Sequence, residues 1–119
     1  MSKIITVINT MISNSDNISQ IIQHKKEYFF IYDNKYKWSI NVQSNVYILN
    51  YYAGKESIEK LANFSAIEWS EYPFVTYTSQ DMKTREAYES MQELYRIVQE
   101  KLYGVDRAFN DIIESDETF

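Results

Sequence analysis

The chain of 119 residues has no cysteine, one proline, two glycines and one histidine. Without cysteine there is no disulfide framework, no thiolate metal site and no thiol nucleophile, and a reducing compartment suits the composition. Gly54 and Gly104 alone cannot build a glycine-rich phosphate cradle, and no Gly-x-Ser-x-Gly elbow is present. Scarce glycine and proline leave little material for irregular loops, so most residues are expected in regular elements. No stretch approaches the roughly 20 apolar residues of a membrane span. Ile4-Ile5-Thr6-Val7-Ile8 is apolar, but Asn9 and Thr10 interrupt it and no small-residue cleavage site follows. It does not read as a secretory signal, and a cytoplasmic protein is expected.

Tyrosine and acid are plentiful. There are 11 tyrosines, and the formal net charge is −5. The charge is uneven: residues 1–60 hold seven lysines against five acids, a net of +2, and residues 61–119 hold five basic residues against twelve acids, a net of −7. An acidic half favours a basic partner, although a solvated helix face carries the same signature.

A single α+β domain over 1–119 follows from the patterning. Ile4, Ile5, Val7, Ile8, Met11 and Ile12 recur at helical spacing, and Ser13-Asn14-Ser15-Asp16-Asn17 supplies turn and cap residues. Ile18, Ile21 and Ile22 then predict a second short helix running to about His24. Such a pair can mimic a helix-turn-helix, but the second member has no basic residue before Lys25 and Lys26, which gives a DNA-reading role little support. From Glu27 the texture becomes that of strands. Tyr28–Tyr32, Tyr36–Val42 and Val46–Tyr52 are aromatic or β-branched runs separated by Asp33-Asn34-Lys35 and Gln43-Ser44-Asn45, an antiparallel meander over 27–52. Trp38, Ile40 and Val42 are expected inward; Lys37, Ser39 and Asn41 outward. Ser57 caps a short helix through Ile58, Leu61 and Ala62. Residues 66–69 and 74–78 read as further strands, giving a sheet of four to five strands (27–52 plus 66–78).

The last third predicts one long helix from Ser79 to about Ser115, capped by Thr78 or Ser79. Tyr88, Met91, Tyr95, Val98, Leu102, Val105, Phe109 and Ile112 form its apolar stripe. About 35 residues at ~1.5 Å each span roughly 50 Å, more than the roughly 35 Å diameter of a compact domain of this size. The helix therefore overhangs or breaks, and Gly104 is where a kink is expected. The acidic tail 114–119 is expected to fray.

Candidate chemistry is thin. His24 lacks an evident orienting carboxylate and is better explained as a cation near a helix C-terminus. Glu86, Glu89 and Glu93 share one helix side, yet the Glu-x-x-His of di-metal bundles is missing and Arg85 and Arg96 stand ready to pair with them. No catalytic residue, cofactor or metal is assigned, and a non-enzyme is expected. The stronger signals concern surfaces. Six tyrosines fall on the meander, and an exposed sheet tyrosine contributes large contact area with few rotors. The alternative is that both sheet faces are covered and most tyrosines are half-buried core. Beyond Gly104, Val105, Phe109, Ile112 and Ile113 are apolar surface that the chain has little left to cover. Tyr47, Tyr51, Tyr52, Val105, Phe109, Ile112 and Ile113 are thus the candidate partner-binding residues. The expected function is a small non-enzymatic protein-binding factor, such as an immunity, antitoxin or host-interaction protein, with a basic protein or a second copy as partner. Alternatives are a single-stranded nucleic-acid binder using the tyrosine sheet with nearby lysines, disfavoured by the net charge, and a small-molecule-binding domain with a pocket between sheet and long helix.

Overall fold

Alternating side chains on β3 (Tyr36–Gln43) determine how the molecule is layered, because they go to opposite faces of the sheet and both faces are covered. In the computed structural model, which describes residues 3–117, β3 is the middle strand of an antiparallel sheet ordered β1-β2-β3-β4-β5. Its neighbours are β1 (Ile18–His24), β2 (Glu27–Tyr32), β4 (Val46–Tyr52) and β5 (Phe74–Thr78). Register puts Phe30 opposite Trp38, Ile40 opposite Leu49, and Leu49 opposite Tyr77. The turns suit their residues. Asp33 and Asn34, and again Ser44 and Asn45, have positive φ, the backbone that primed hairpin turns demand and that Asn and Asp tolerate.

One face is packed by α1 (Lys3–Ser13) and α5 (Arg85–Tyr103). Ile8 and Met11 of α1 and Met91, Leu94 and Val98 of α5 meet Phe30, Trp38, Ile40 and Leu49 in the main core. Each such side chain, fully buried, contributes roughly 1.5–3 kcal/mol. α5 crosses the strands obliquely. Tyr88 near its start meets Tyr47 of β4, and Tyr103 at its end donates a hydrogen bond to Gln23 of β1 (2.9 Å). The other face carries α2 (Ile58–Ala62) and α3 (Ala66–Glu71); their Ile58, Leu61 and Trp69, with Phe64 from the link between them, pack with Phe29 and Tyr52 in a smaller cluster. A Cβ at Gly54 would run into the Tyr72 ring, so any larger residue there must displace that ring.

The α+β class and the five-stranded antiparallel sheet agree with the pattern reading, while four segments differ. Residues 18–24 form edge strand β1 and not a second N-terminal helix. A bulge between Ser19 and Ile22, with Gln20 at φ 53°, inserts one residue, so Ile18 and Ile21 share the main core while Ile22 turns to the smaller cluster. A strand with one extra residue thereby counterfeits helical spacing. Residues 66–71 are helix α3 and not a strand, held by a capping box in which Ser65 and Glu68 bond each other's backbone N–H. The long helix has two breaks. Thr78 caps α4 (Ser79–Met82), Lys83 ends it at φ 57°, and Thr84 caps α5 through the Ala87 N–H (3.1 Å). Gly104, at φ 67°, ends α5 and α6 (Val105–Glu117) follows. The tail expected to fray from Glu114 belongs to α6 as far as Glu117; Thr118 and Phe119 lie outside the described residues.

α6 leads away past β1 and makes the molecule long, 58 × 33 × 27 Å. Among the described residues no helix is long and apolar enough to cross a membrane. A Cβ at residue 104 would meet nothing within 4 Å, so Gly104→Ala adds backbone strain without a clash. The left-handed conformation costs an alanine about 1 kcal/mol, which should speed amide exchange around the α5–α6 junction roughly fivefold. The urea midpoint should move little, since α6 is not packed on the sheet; unchanged exchange at the junction would contradict this account of the break.

Candidate functional site

The polar residues that alternate with the main-core side chains do not face open water. Ser39 and Asn41 are buried beneath the second face, 0 % and 5 % exposed, correcting their expected outward placement in solvent. There they meet Glu27 from the start of β2 and Asn50 and Tyr52 from β4. Ser39 donates its hydroxyl proton to Glu27 Oε2, Asn41 donates to Oε1 (2.6 Å) and Asn50 to Oε2 (3.3 Å). Because the single Ser39 proton is spent on the carboxylate, Tyr52 is the donor in the 2.7 Å Tyr52–Ser39 hydrogen bond. Asn50 Oδ1 accepts from Thr76 of β5 (2.7 Å), so four strands contribute to one network.

Glu27 has no ion-pair partner: the salt bridges among the described residues are Arg85–Glu89, Arg96–Glu93 and Arg96–Glu100, all on α5. Burial raises its pKa above the usual carboxylate value, against the lowering effect of the Ser39, Asn41 and Asn50 hydrogen bonds. Burial also pushes the Tyr52 phenol well above its ordinary range, and the Glu27 charge adds to that shift.

These groups floor a cavity of about 580 Å³. Its walls are Phe29, Phe64, Trp69, Phe74 and Ala62, and His24, Lys25, Lys26 and Gln43 stand at its rim. The wall rings are mutually packed: Phe29 stacks on Trp69 (centroids 6.5 Å apart, 15° between planes), and Phe64 and Phe74 meet Trp69 at 5.0 and 5.6 Å. The cavity lies between the sheet and the short helices, on the face opposite the one where a pocket beside the long helix was expected.

The predicted site residues are scattered. Tyr47 and Tyr52 are buried, the first against Tyr88 and Tyr95 and the second in the Glu27 network, so both are corrected from partner surface to interior. Tyr51 is half-buried against Trp38 (4.9 Å). With Tyr28 also buried, three of the six meander tyrosines are interior, while Tyr36 is exposed and Tyr32 is half-buried like Tyr51. His24 is exposed in the β1–β2 hairpin and not at a helix end. Glu89 and Glu93 pair with Arg85 and Arg96, and no group of three or more potential metal ligands converges among the described residues. The α6 residues do share one surface. Val105 is half-buried, and Phe109, Ile112 and Ile113 are 59 %, 67 % and 56 % exposed. Glu27, Asn41, Asn50 and Trp69 were not singled out from sequence; the available signal was small polar residues at 39, 41 and 50 within otherwise aromatic and aliphatic strands.

Ser39→Ala removes one donor from Glu27 and the acceptor of Tyr52, which should destabilise the fold by about 1–3 kcal/mol. The Glu27 midpoint, followed by carboxyl NMR, should rise further, because the lost hydrogen bond was lowering it. The penalty is therefore greatest at neutral pH, where the carboxylate is ionised, and shrinks as pH falls through the raised midpoint. A lowered midpoint would refute the assigned donor directions. Compared with known families, curated proteins and solved structures, the chain matches no family model, no curated protein and no solved structure.

Proposed function

We propose that the chain is a small non-enzymatic protein-binding factor, of the kind that immunity, antitoxin and host-interaction proteins represent, and that α6 is its docking element. The observation that carries this reading is an amphipathic helix beyond the sheet whose apolar residues Phe109, Ile112 and Ile113 are each more than half exposed. Tyr103, 59 % exposed at the end of α5, adds to the same region. An apolar stripe on a helix is what a partner's groove takes up, with anchors at i, i+3 and i+4.

Asp106, Asp111 and Glu114 outnumber Arg107 on the described part of α6. A second copy would set acidic helix against acidic helix, so a groove with a basic rim is the better match. Magnitudes constrain the complex. Burying the exposed parts of the three apolar side chains contributes roughly 3–5 kcal/mol, whereas association costs at least about 4 kcal/mol. α6 alone cannot hold a partner tightly, so Tyr103 and the charged flank must share the interface.

The test uses the full chain and its Phe109→Asp/Ile112→Asp variant. Because both positions are exposed, the variant should melt within about 0.5 kcal/mol of the parent. A partner retained by the parent should be lost by the variant, and its purified complex should weaken as salt is raised. Equal retention by both forms would sink the reading. Light scattering at high micromolar concentration should show a monomer; a dimer abolished by the same substitutions would make a second copy the partner.

A further inference from the structure

We propose that the cavity over Glu27 binds a small organic cation bearing N–H donors on an aromatic or aliphatic body, an amine or a guanidine. This site is independent of α6 and of the docking function assigned to it.

The donor and acceptor inventory sets the ligand's polarity. Ser39, Asn41 and Asn50 all direct their donors at the Glu27 carboxylate. An ionised carboxylate has about four lone-pair positions, so about one remains open. Asn41 Oδ1 is buried with no hydrogen-bond partner, although its residue is only 5 % exposed and lines the cavity beside Glu27. Two acceptors are thus left over at the floor, and Tyr52 has its proton committed to Ser39. A buried acceptor without a donor costs about 1–3 kcal/mol; a ligand N–H would take the open position at Glu27, and Asn41 Oδ1, which has no accessible surface, could share it once the Asn41 side chain turns toward the cavity.

Charge and shape agree. A half-buried carboxylate without a counter-cation is partly desolvated at a cost, which an apolar residue there would not carry. The incoming cation supplies the missing charge. Phe29, Trp69 and Phe74 then line the space that its hydrocarbon body would fill. Lys25 and Lys26 do not reverse the sign, because they are exposed at the rim, where water and salt screen them more than they screen the half-buried Glu27. They would instead repel a second positive group at the outer end, which favours a monocation over a polyamine.

The experiment titrates the full chain with phenethylamine, with 2-phenylethanol (the same body uncharged) and with phenyltrimethylammonium (charged, without N–H). Trp38→Phe leaves Trp69 as the only tryptophan, so fluorescence then reports from the cavity wall. Phenethylamine should bind at least about tenfold more tightly than either control. Glu27→Gln should abolish that preference. This variant can remain folded, since rotating the Asn41 amide presents Oδ1 to the new glutamine N–H. Equal affinity for amine and alcohol would overturn the charge assignment, and equal affinity for the quaternary ion would overturn the N–H assignment. No fluorescence change with any probe up to about 10 mM would overturn the site itself. The amine–alcohol comparison needs no variant, and none of these outcomes bears on α6.

Discussion

Glu27 is a half-buried carboxylate without a cation to balance it, and the register of three strands exists in a form that makes this tolerable. Its donors come from two positions on β3 and one on β4, which are brought together by Ser39 pairing opposite Asn50. A slip of one residue in β3 would turn Ser39 and Asn41 into the main core and Trp38 and Ile40 out of it. The network is therefore a register lock as well as a site. Losing any one donor leaves a partly desolvated charge less well satisfied, so an error of register is costly at once.

The two faces of the sheet divide the labour unequally. The main core is closed by α1 and by a helix of 19 residues, about 28 Å long, that reaches from β4 to β1. The second face has helices of five and six residues, too short to be stable without tertiary contacts. They are held by caps at Ser57 and Ser65, by the aromatic cluster around Trp69, and by Lys37, whose ammonium ties down the Gly54 and Glu56 carbonyls (2.5 and 2.8 Å). A cover assembled from such short pieces leaves room beside it for the cavity, and its local opening is expected to be easier than that of the main core.

How much of this was legible in the sequence depends on what each residue pattern can encode. The meander was readable because β2, β3 and β4 have clean alternation and short polar turns. β1 was not, since one inserted residue at its bulge changes the spacing of Ile18 and Ile21 from two to three. α3 left a local signature, Ser65 and Glu68 three apart, which was outweighed by the β-like texture of Trp69 and the strand after it. Lys83 is a break without a compositional mark: a lysine in left-handed backbone looks like any helical lysine. The site was hidden for another reason. Alternation shows which side chains leave one core, but not that a second layer will cover the opposite face, and only that layer makes Ser39 and Asn41 interior.

Gly104 was legible, and the structure explains why a break belongs there. A continuous helix would keep Tyr88 through Ile112 on one stripe, all directed along the line of the sheet contact. The sheet, however, ends at β1, where Tyr103 reaches Gln23. Any apolar residue beyond that point gains nothing from the sheet whether the helix bends or runs straight. The left-handed turn at residue 104 closes α5 with hydrogen bonds to the Glu100 and Lys101 carbonyls and lets α6 take its own direction. The apolar stripe is thus one sequence feature with two physical fates. Up to Leu102 it is matched to the sheet and contributes to folding; past the half-buried Val105, Phe109, Ile112 and Ile113 stay more than half exposed, so the same periodicity that builds the core also produces the apolar surface on which the proposed docking rests.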